Sequence, residues 1–189
     1  MKHLLMLFCL FFLSFWAQAQ NQWSSDLALG THGIGTLFHN FPSSRGGFML
    51  TGETHKQLGN SDRNSYFKLG LNISFFRHKN LKNSILLMPI LSYRLGIGDI
   101  FLEPSLALGF SGSVLQVQSF KPDGSGNYTT KKGQWISAFI AQPRLRLGAK
   151  LNEQIDLYTQ YVWQVEGLYN AMLVVPFQSI QIGTSYNFK

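Results

Sequence analysis

The sequence predicts an all-β chain: an eight-stranded antiparallel up-and-down transmembrane β-barrel that follows a cleaved signal peptide. Three observations carry this. Charged residues are only 13% of 189, about half the usual ~25% of a soluble domain, yet the mean hydropathy is just +0.01. The one long apolar run, Leu4 to Trp16, stands at the N-terminus, and no later run reaches the ~18 residues of a membrane helix. The remainder alternates apolar and polar residues in segments near ten residues long, with turn residues between them. The low charge and near-zero hydropathy exclude a helical membrane bundle and disfavour an ordinary cytosolic enzyme, and 14% aromatic content argues against disorder.

The N-terminal run is preceded by Lys2 and followed by Ala17-Gln18-Ala19, small residues at the two positions a signal peptidase reads. It is too short to span a bilayer, so residues 1–19 are expected to be a signal peptide and residues 20–189 the barrel. Cys9 lies inside the signal, so the mature chain has no cysteine, which excludes thiol and Cys-metal chemistry.

Eight strands follow in order. The first two, 26–36 and 48–53, alternate weakly. Segments 66–76 and 85–96 alternate more clearly. From Ile100, the residues Leu102, Pro104, Leu106, Leu108 and Phe110 share one face, against Glu103, Ser105, Ala107, Gly109 and Ser111. From Phe139, the residues Ala141, Pro143, Leu145, Leu147, Ala149 and Leu151 oppose Gln142, Arg144, Arg146, Gly148 and Lys150. The seventh strand covers 155–166. The last sets Ile180, Ile182, Thr184, Tyr186 and Phe188 against Ser179, Gln181, Gly183, Ser185 and Asn187. The polar faces are rich in Gly, Ser, Asn and Gln and suit a narrow interior; the apolar faces are broad and carry prolines. Lipid solvent demands this inversion. A soluble β-sandwich or lipocalin-like barrel is the alternative.

With the N-terminus periplasmic, connections 38–47, 77–83, 118–133 and 167–175 face outward and should be long. Gly98-Asp99 and Asn152-Glu153 should be tight inner turns; the inner connection 54–65 reads as long and polar. On these strand directions Asp26, Glu53, Glu103 and Asp156 share the periplasmic half of the lumen with Lys68, Arg94, Arg144, Arg146 and Lys150. Unpaired, each ion would be too costly to bury; paired, they form a network that plugs a barrel barely wide enough for side chains. Tyr93, Tyr161, Trp163, Tyr186 and Phe188, with Phe67 and Phe75, are expected outward near strand ends as aromatic belts.

The outer connections carry Arg45, Arg77, Lys79, Lys82, Lys121, Lys131 and Lys132, with Asp123 the one acid among them. These bases suit lipopolysaccharide phosphates at an outer rim; solvated loops or a protein-docking surface are the alternatives. The mature histidines, His32, His39, His55 and His78, have no zinc spacing. His32 and Glu166 are placed in the upper lumen, but no serine nucleophile facing lipid stands beside them. Gly33 and Gly35 lie in a strand, so they form no phosphate loop. No enzyme, metal or cofactor is expected, and no nucleic-acid partner.

With these eight strands and the ending Ile182-x-Thr184-x-Tyr186-x-Phe188, the mature chain resembles the small outer-membrane barrels of the OmpA-transmembrane and OmpX type. Lys189 departs from the aromatic ending of that class. The Ala-Gln-Ala junction and the Tyr186-Asn187-Phe188 ending also resemble proteins of the Bacteroidota. The resemblance implies an integral outer-membrane location among lipids and lipopolysaccharide. It also implies that Ile182, Thr184, Tyr186 and Phe188 form a C-terminal signal read by the barrel-assembly machinery. It transfers location better than activity. The expected role is a structural or accessory subunit of a larger outer-membrane assembly. The alternatives are a stand-alone surface or adhesion barrel, or a carrier of a small apolar molecule admitted where outward Pro104 and Pro143 weaken strand pairing.

Overall fold

A computed structural model describes residues 23–34, 46–58, 65–78, 81–116, 119–122, 125, 128–131, 133–168 and 174–188. The signal segment 1–19 lies outside them. Among the described residues ten strands occur in order: β1 (Trp23–Ile34), β2 (Gly47–Leu58), β3 (Ser65–His78), β4 (Lys82–Ile97), β5 (Ile100–Leu115), β6 (Ser119–Pro122), β7 (Tyr128–Lys131), β8 (Trp135–Lys150), β9 (Ile155–Leu168) and β10 (Val174–Phe188). Eight of them close a barrel in the order β1-β10-β9-β8-β5-β4-β3-β2, every pair antiparallel. Closure leaves no strand edge to satisfy, as lipid requires. Strands of 12–16 residues, rising about 3.3 Å per residue at a tilt near 40°, reach roughly 30–40 Å, enough to cross a ~25 Å apolar band.

Side-chain distribution is inverted relative to a soluble protein. Among the described residues, 29 polar or charged residues are buried against 13 apolar ones, while 29 large apolar or aromatic side chains are exposed. Leu27, Leu29, Ile73, Ile85, Leu87, Leu106, Leu145, Leu147 and Ile182 all lie on the outer face, each at least 47% exposed. Soluble monomers rarely expose contiguous apolar patches beyond a few hundred Å²; here the patch encircles the molecule.

Several boundaries differ from the sequence reading. β2 runs to Leu58 rather than ending at residue 53, which shrinks the inner connection to residues 59–64. Its added polar residues His55 and Gln57 continue the lumen face begun by Glu53 and are buried, and polar residues inside a barrel look like loop residues in a sequence. The outer connection expected at 77–83 is a tight turn, with Leu81 N–H bonded to His78 O at 3.1 Å, because Arg77, His78 and Lys82 belong to strands. The connection at 118–133 contains the additional hairpin β6–β7, whose registers run from Ser119↔Lys131 to Pro122↔Tyr128. Tyr161 and Trp163 stand near the middle of β9, not at its end.

The prolines mark the ladders. The β4–β5 register steps over Met88 and Pro89, and again over Tyr93 and Arg94 opposite Pro104. The β8–β9 register steps over Gln142 and Pro143. Each proline lacks the donor that its neighbour strand would accept.

Candidate functional site

The lumen is built in three layers. The lowest lies toward Trp23 and Phe188, the start of β1 and the end of β10, and is ionic. Arg146, projecting inward from β8, donates to Asp26 Oδ2 at 2.6 Å, Glu53 Oε2 at 3.0 Å and Glu103 Oε1 at 3.2 Å. Arg144, one inward position higher, donates to Glu53 Oε1 and to Gln142. Lys68 Nζ is 2.8 Å from Glu103 Oε2, and Arg94 donates to Asp156 Oδ2 at 2.6 Å. Four carboxylates thus meet four bases, all buried, so the network is close to neutral and each ion has its counter-ion. His55 joins through Nε2, 2.8 Å from Glu53 Oε2 and 3.3 Å from Asp26 Oδ2. Asp26, Glu53 and His55 hold ligand atoms within 4.8 Å of one another, a donor set with the chemistry for a divalent cation. Arg144 and Arg146 already occupy the same carboxylates.

Two rings floor this layer. The Arg94 guanidinium lies 3.5 Å from the Phe101 centroid, and that of Arg146 lies 3.9 Å from the Tyr158 centroid. Space for the rings comes from glycines directly across the ladder: Gly148 faces Phe101, and Gly183 faces Tyr158. A Cβ on Gly148 would stand 2.3 Å from Phe101 Cζ, and one on Gly183 would stand 2.5 Å from Tyr158 Cζ.

The middle layer is amides and hydroxyls. Asn72 donates to Glu53 at 2.9 Å and accepts from Ser74 at 2.9 Å, and Ser74 meets Thr51 at 3.1 Å. Gln160 bonds Gln181, and Gln142 bonds Gln164, which reaches Glu166 at 2.7 Å. This chain links the ionic layer to the upper lumen.

The upper layer is apolar. Met49, Phe76, Leu86, Met88, Ile90, Ala107 and Ile140 form one buried cluster. β4 explains it: Leu86, Met88 and Ile90 face inward, while Ile85, Leu87 and Leu91 face outward. Above it Lys82 and Glu166 form a buried ion pair, with Lys82 Nζ 5.0 Å from the Phe177 centroid. His32 stacks between Phe76 at 4.1 Å and Phe177 at 5.1 Å, and neither ring nitrogen has a hydrogen-bond partner. A cavity of about 20 Å³, room for about one water, opens at the lower mouth between Trp23, Ser24, Gln57, Tyr66, Lys68 and Asn187.

Of the nine residues assigned to the lumen network from sequence, the structure brings together Asp26, Glu53, Lys68, Arg94, Glu103, Arg144, Arg146 and Asp156. Lys150 is not among them: it is the last residue of β8 and is exposed at the rim. Sequence reasoning missed His55, because the polar end of β2 was read as a connection. Of the bases assigned to the outer rim, Arg77 is exposed. Lys82 is not at the rim, because it turns inward at the first position of β4 and pairs with Glu166. Arg45, Lys79 and Lys132 lie outside the described residues, and Lys121 and Lys131 are placed by backbone alone, on β6 and β7 respectively. His39 also lies outside them. Ile182, Thr184, Tyr186 and Phe188 share the outer face of β10, and all four are exposed.

Aromatic pairs mark both ends of the outer wall. Phe67 with Tyr93 (4.6 Å) and Tyr186 with Phe188 (5.0 Å) lie toward the end of the barrel that holds Trp23 and Phe188. Phe48 with Phe75 (5.9 Å) and Phe110 with Phe139 (5.8 Å) lie toward the other end. Leucine and isoleucine fill the height between. Inverted faces, closed antiparallel pairing and two aromatic rims are now all in place. The fold is that of the small outer-membrane β-barrels.

Solved structures agree. Neisserial surface protein A is similar at a TM-score of 0.53 and 10% identity, covering 89% of this chain and 97% of that one. Ail, the attachment invasion locus protein of Yersinia pestis, is similar at 0.51 and 9% identity, covering 89% and 99%. The chain matches no protein-family model and no curated protein. The resemblance of the chain's ends to Bacteroidota proteins finds no counterpart among these structures.

Proposed function

We propose that the chain is a non-enzymatic integral outer-membrane β-barrel with a lumen closed by its own side chains, exported through the signal at residues 1–19. It acts as a structural or accessory subunit of an outer-membrane protein assembly. The observation that carries this reading is the pairing of an apolar outer wall with a filled interior. Arg146 alone bridges three carboxylates across the lumen, leaving the wall and rims as the surfaces available for work. Lipids surround the wall, and the barrel-assembly machinery inserts the chain through the outer face of β10. A tagged purification from outer membranes in mild detergent, followed by native mass measurement, tests the role. A stoichiometric co-purifying chain is the expected result. A lone species near 20 kDa plus detergent contradicts the subunit role and favours a stand-alone surface barrel, with Arg77 and the basic hairpin β6–β7 toward lipopolysaccharide.

A second reading, carriage of a small apolar molecule, draws on one feature. The apolar upper lumen containing Met88 lies behind the β4–β5 ladder where it steps over Met88 and Pro89. Saturable binding of a fluorescent apolar probe, lost on Met88→Lys, is its signature.

A further inference from the structure

Two histidines stand in one cross-strand row near the upper mouth of the lumen. His32 of β1 pairs with Gly47 of β2, and Gly47 pairs in turn with His78 of β3. Both histidines share the parity of their strand's inward residues: His32 follows Asp26 and Ala28, and His78 follows Ser74 and Phe76. Gly47 places no side chain between them. Their Cα atoms are two strand spacings apart, about 9.5 Å, and side chains pointing into a narrow bore converge. Spacing along the chain does not join these residues; register does.

The His32 ring is 1% exposed, yet neither of its nitrogens has a hydrogen-bond partner among the described residues. Nδ1 of half-buried His78 is likewise enclosed without a partner. Buried polar atoms in folded proteins are nearly always paired, because an unpaired one has lost its water for nothing. Phe76 and Phe177, whose rings flank His32 at 4.1 and 5.1 Å, fix the imidazole and offer its nitrogens no partner. The row therefore lacks a ligand.

Each neutral imidazole carries one nitrogen lone pair. Two imidazoles on one wall suit a borderline divalent transition metal, whereas calcium and magnesium take oxygen. Local charge permits a cation, since the Lys82 ammonium, in register with His78, is neutralised by Glu166. The lower donor set of Asp26, Glu53 and His55 is less suited. Arg144 and Arg146 already hold its carboxylates, and a divalent ion there would bring surplus charge to a balanced network.

We propose that His32 and His78 form a two-imidazole site for one divalent transition-metal ion at the upper mouth of the lumen, with water completing its shell. Copper(II) binds tightest by the general order of divalent affinities, and zinc more weakly. The site is independent of the subunit role.

The test uses the untagged mature barrel, folded in detergent and checked by heat-dependent gel mobility. Copper(II) is the probe. Equilibrium dialysis counts bound metal, and electron paramagnetic resonance counts coordinating nitrogens. The expected result is one copper per chain with two imidazole nitrogens in its shell. A partner one step removed from a metal is worth about 10–100-fold in affinity, so His32→Phe and His78→Gln, which remove ligands, should each weaken binding by more than about tenfold. Lys82→Met should tighten binding, because Glu166 then faces the ion without its ammonium. His55→Gln should leave binding unchanged. Should His32→Phe fail to fold, His78→Gln at the half-buried position carries the test. Copper binding that survives His78→Gln, or that is lost with His55→Gln instead, overturns the site. A folded barrel that binds no stoichiometric copper also overturns it, and leaves the subunit role untouched.

Discussion

Arg146 ties β8 to β1, β2 and β5 through carboxylates and to β9 through Gln160. Replacing it with methionine keeps the stem but leaves Asp26 with no guanidinium and strips Glu53 and Glu103 of one each. Removing one partner from a buried pair costs about 3–5 kcal/mol, so Arg146→Met should lower the unfolding free energy by that much in urea titrations of vesicle-inserted protein. Lys82 obeys the same logic at the opposite end. Lys82→Met should lose about 3 kcal/mol, since Glu166 then stays buried with Gln164 as its one remaining donor among the described residues. It should leave lipopolysaccharide retention during purification unchanged, whereas Arg77→Gln should leave stability unchanged. Gly183 is fixed by packing. A Cβ there would meet Tyr158 Cζ at 2.5 Å and Leu27 O at 2.7 Å, so Gly183→Val should cost about 1–3 kcal/mol through overpacking, read in the same titration. The charged lumen residues were legible in sequence because they recur at period two on otherwise apolar-faced strands. Their partners were not, because which ions meet across a barrel depends on stagger between strands that a linear pattern does not contain.

Strands β5, β8 and β10 show clean alternation, and their faces were legible residue by residue. β2 and β4 were harder, for opposite physical reasons. β2 ends in Glu53-Thr54-His55-Lys56-Gln57, a polar stretch that is a strand only because its inward residues find partners inside the lumen. β4 is apolar on both faces through residues 85–91, since it borders lipid outside and the apolar cluster inside, so its period-two signal nearly vanishes. The hairpin β6–β7 is short and contains Pro122, which masks strand signal. The interrupted ladder between β4 and β5 has a dynamic consequence. Amide hydrogen exchange in detergent should be faster at Leu108–Gly109 and Glu103, opposite the skipped positions, than at Leu106 or Ala107, whose partners are in register. Uniform protection along β5 would contradict this.

At the scale of the whole molecule, one arrangement explains the unusual composition. Few charges are needed because the outer wall meets hydrocarbon, and most charges that remain in the strands are neutralised in pairs within the lumen. The same arrangement underlies the proposed function: among the described residues, ionic, amide and apolar layers are stacked in one narrow bore, and a bore filled in this way would leave the wall and the ends as the working surfaces. Resemblance to Neisserial surface protein A and Ail is one of fold at about 10% identity and transfers no activity. The most direct test of the closed, membrane-spanning barrel is electrical. Pure protein incorporated into planar bilayers, with insertion verified by protease protection, should give no steady conductance steps in molar salt. Reproducible single-channel steps from the unmodified chain would contradict the account, because they require a bore that these layers close.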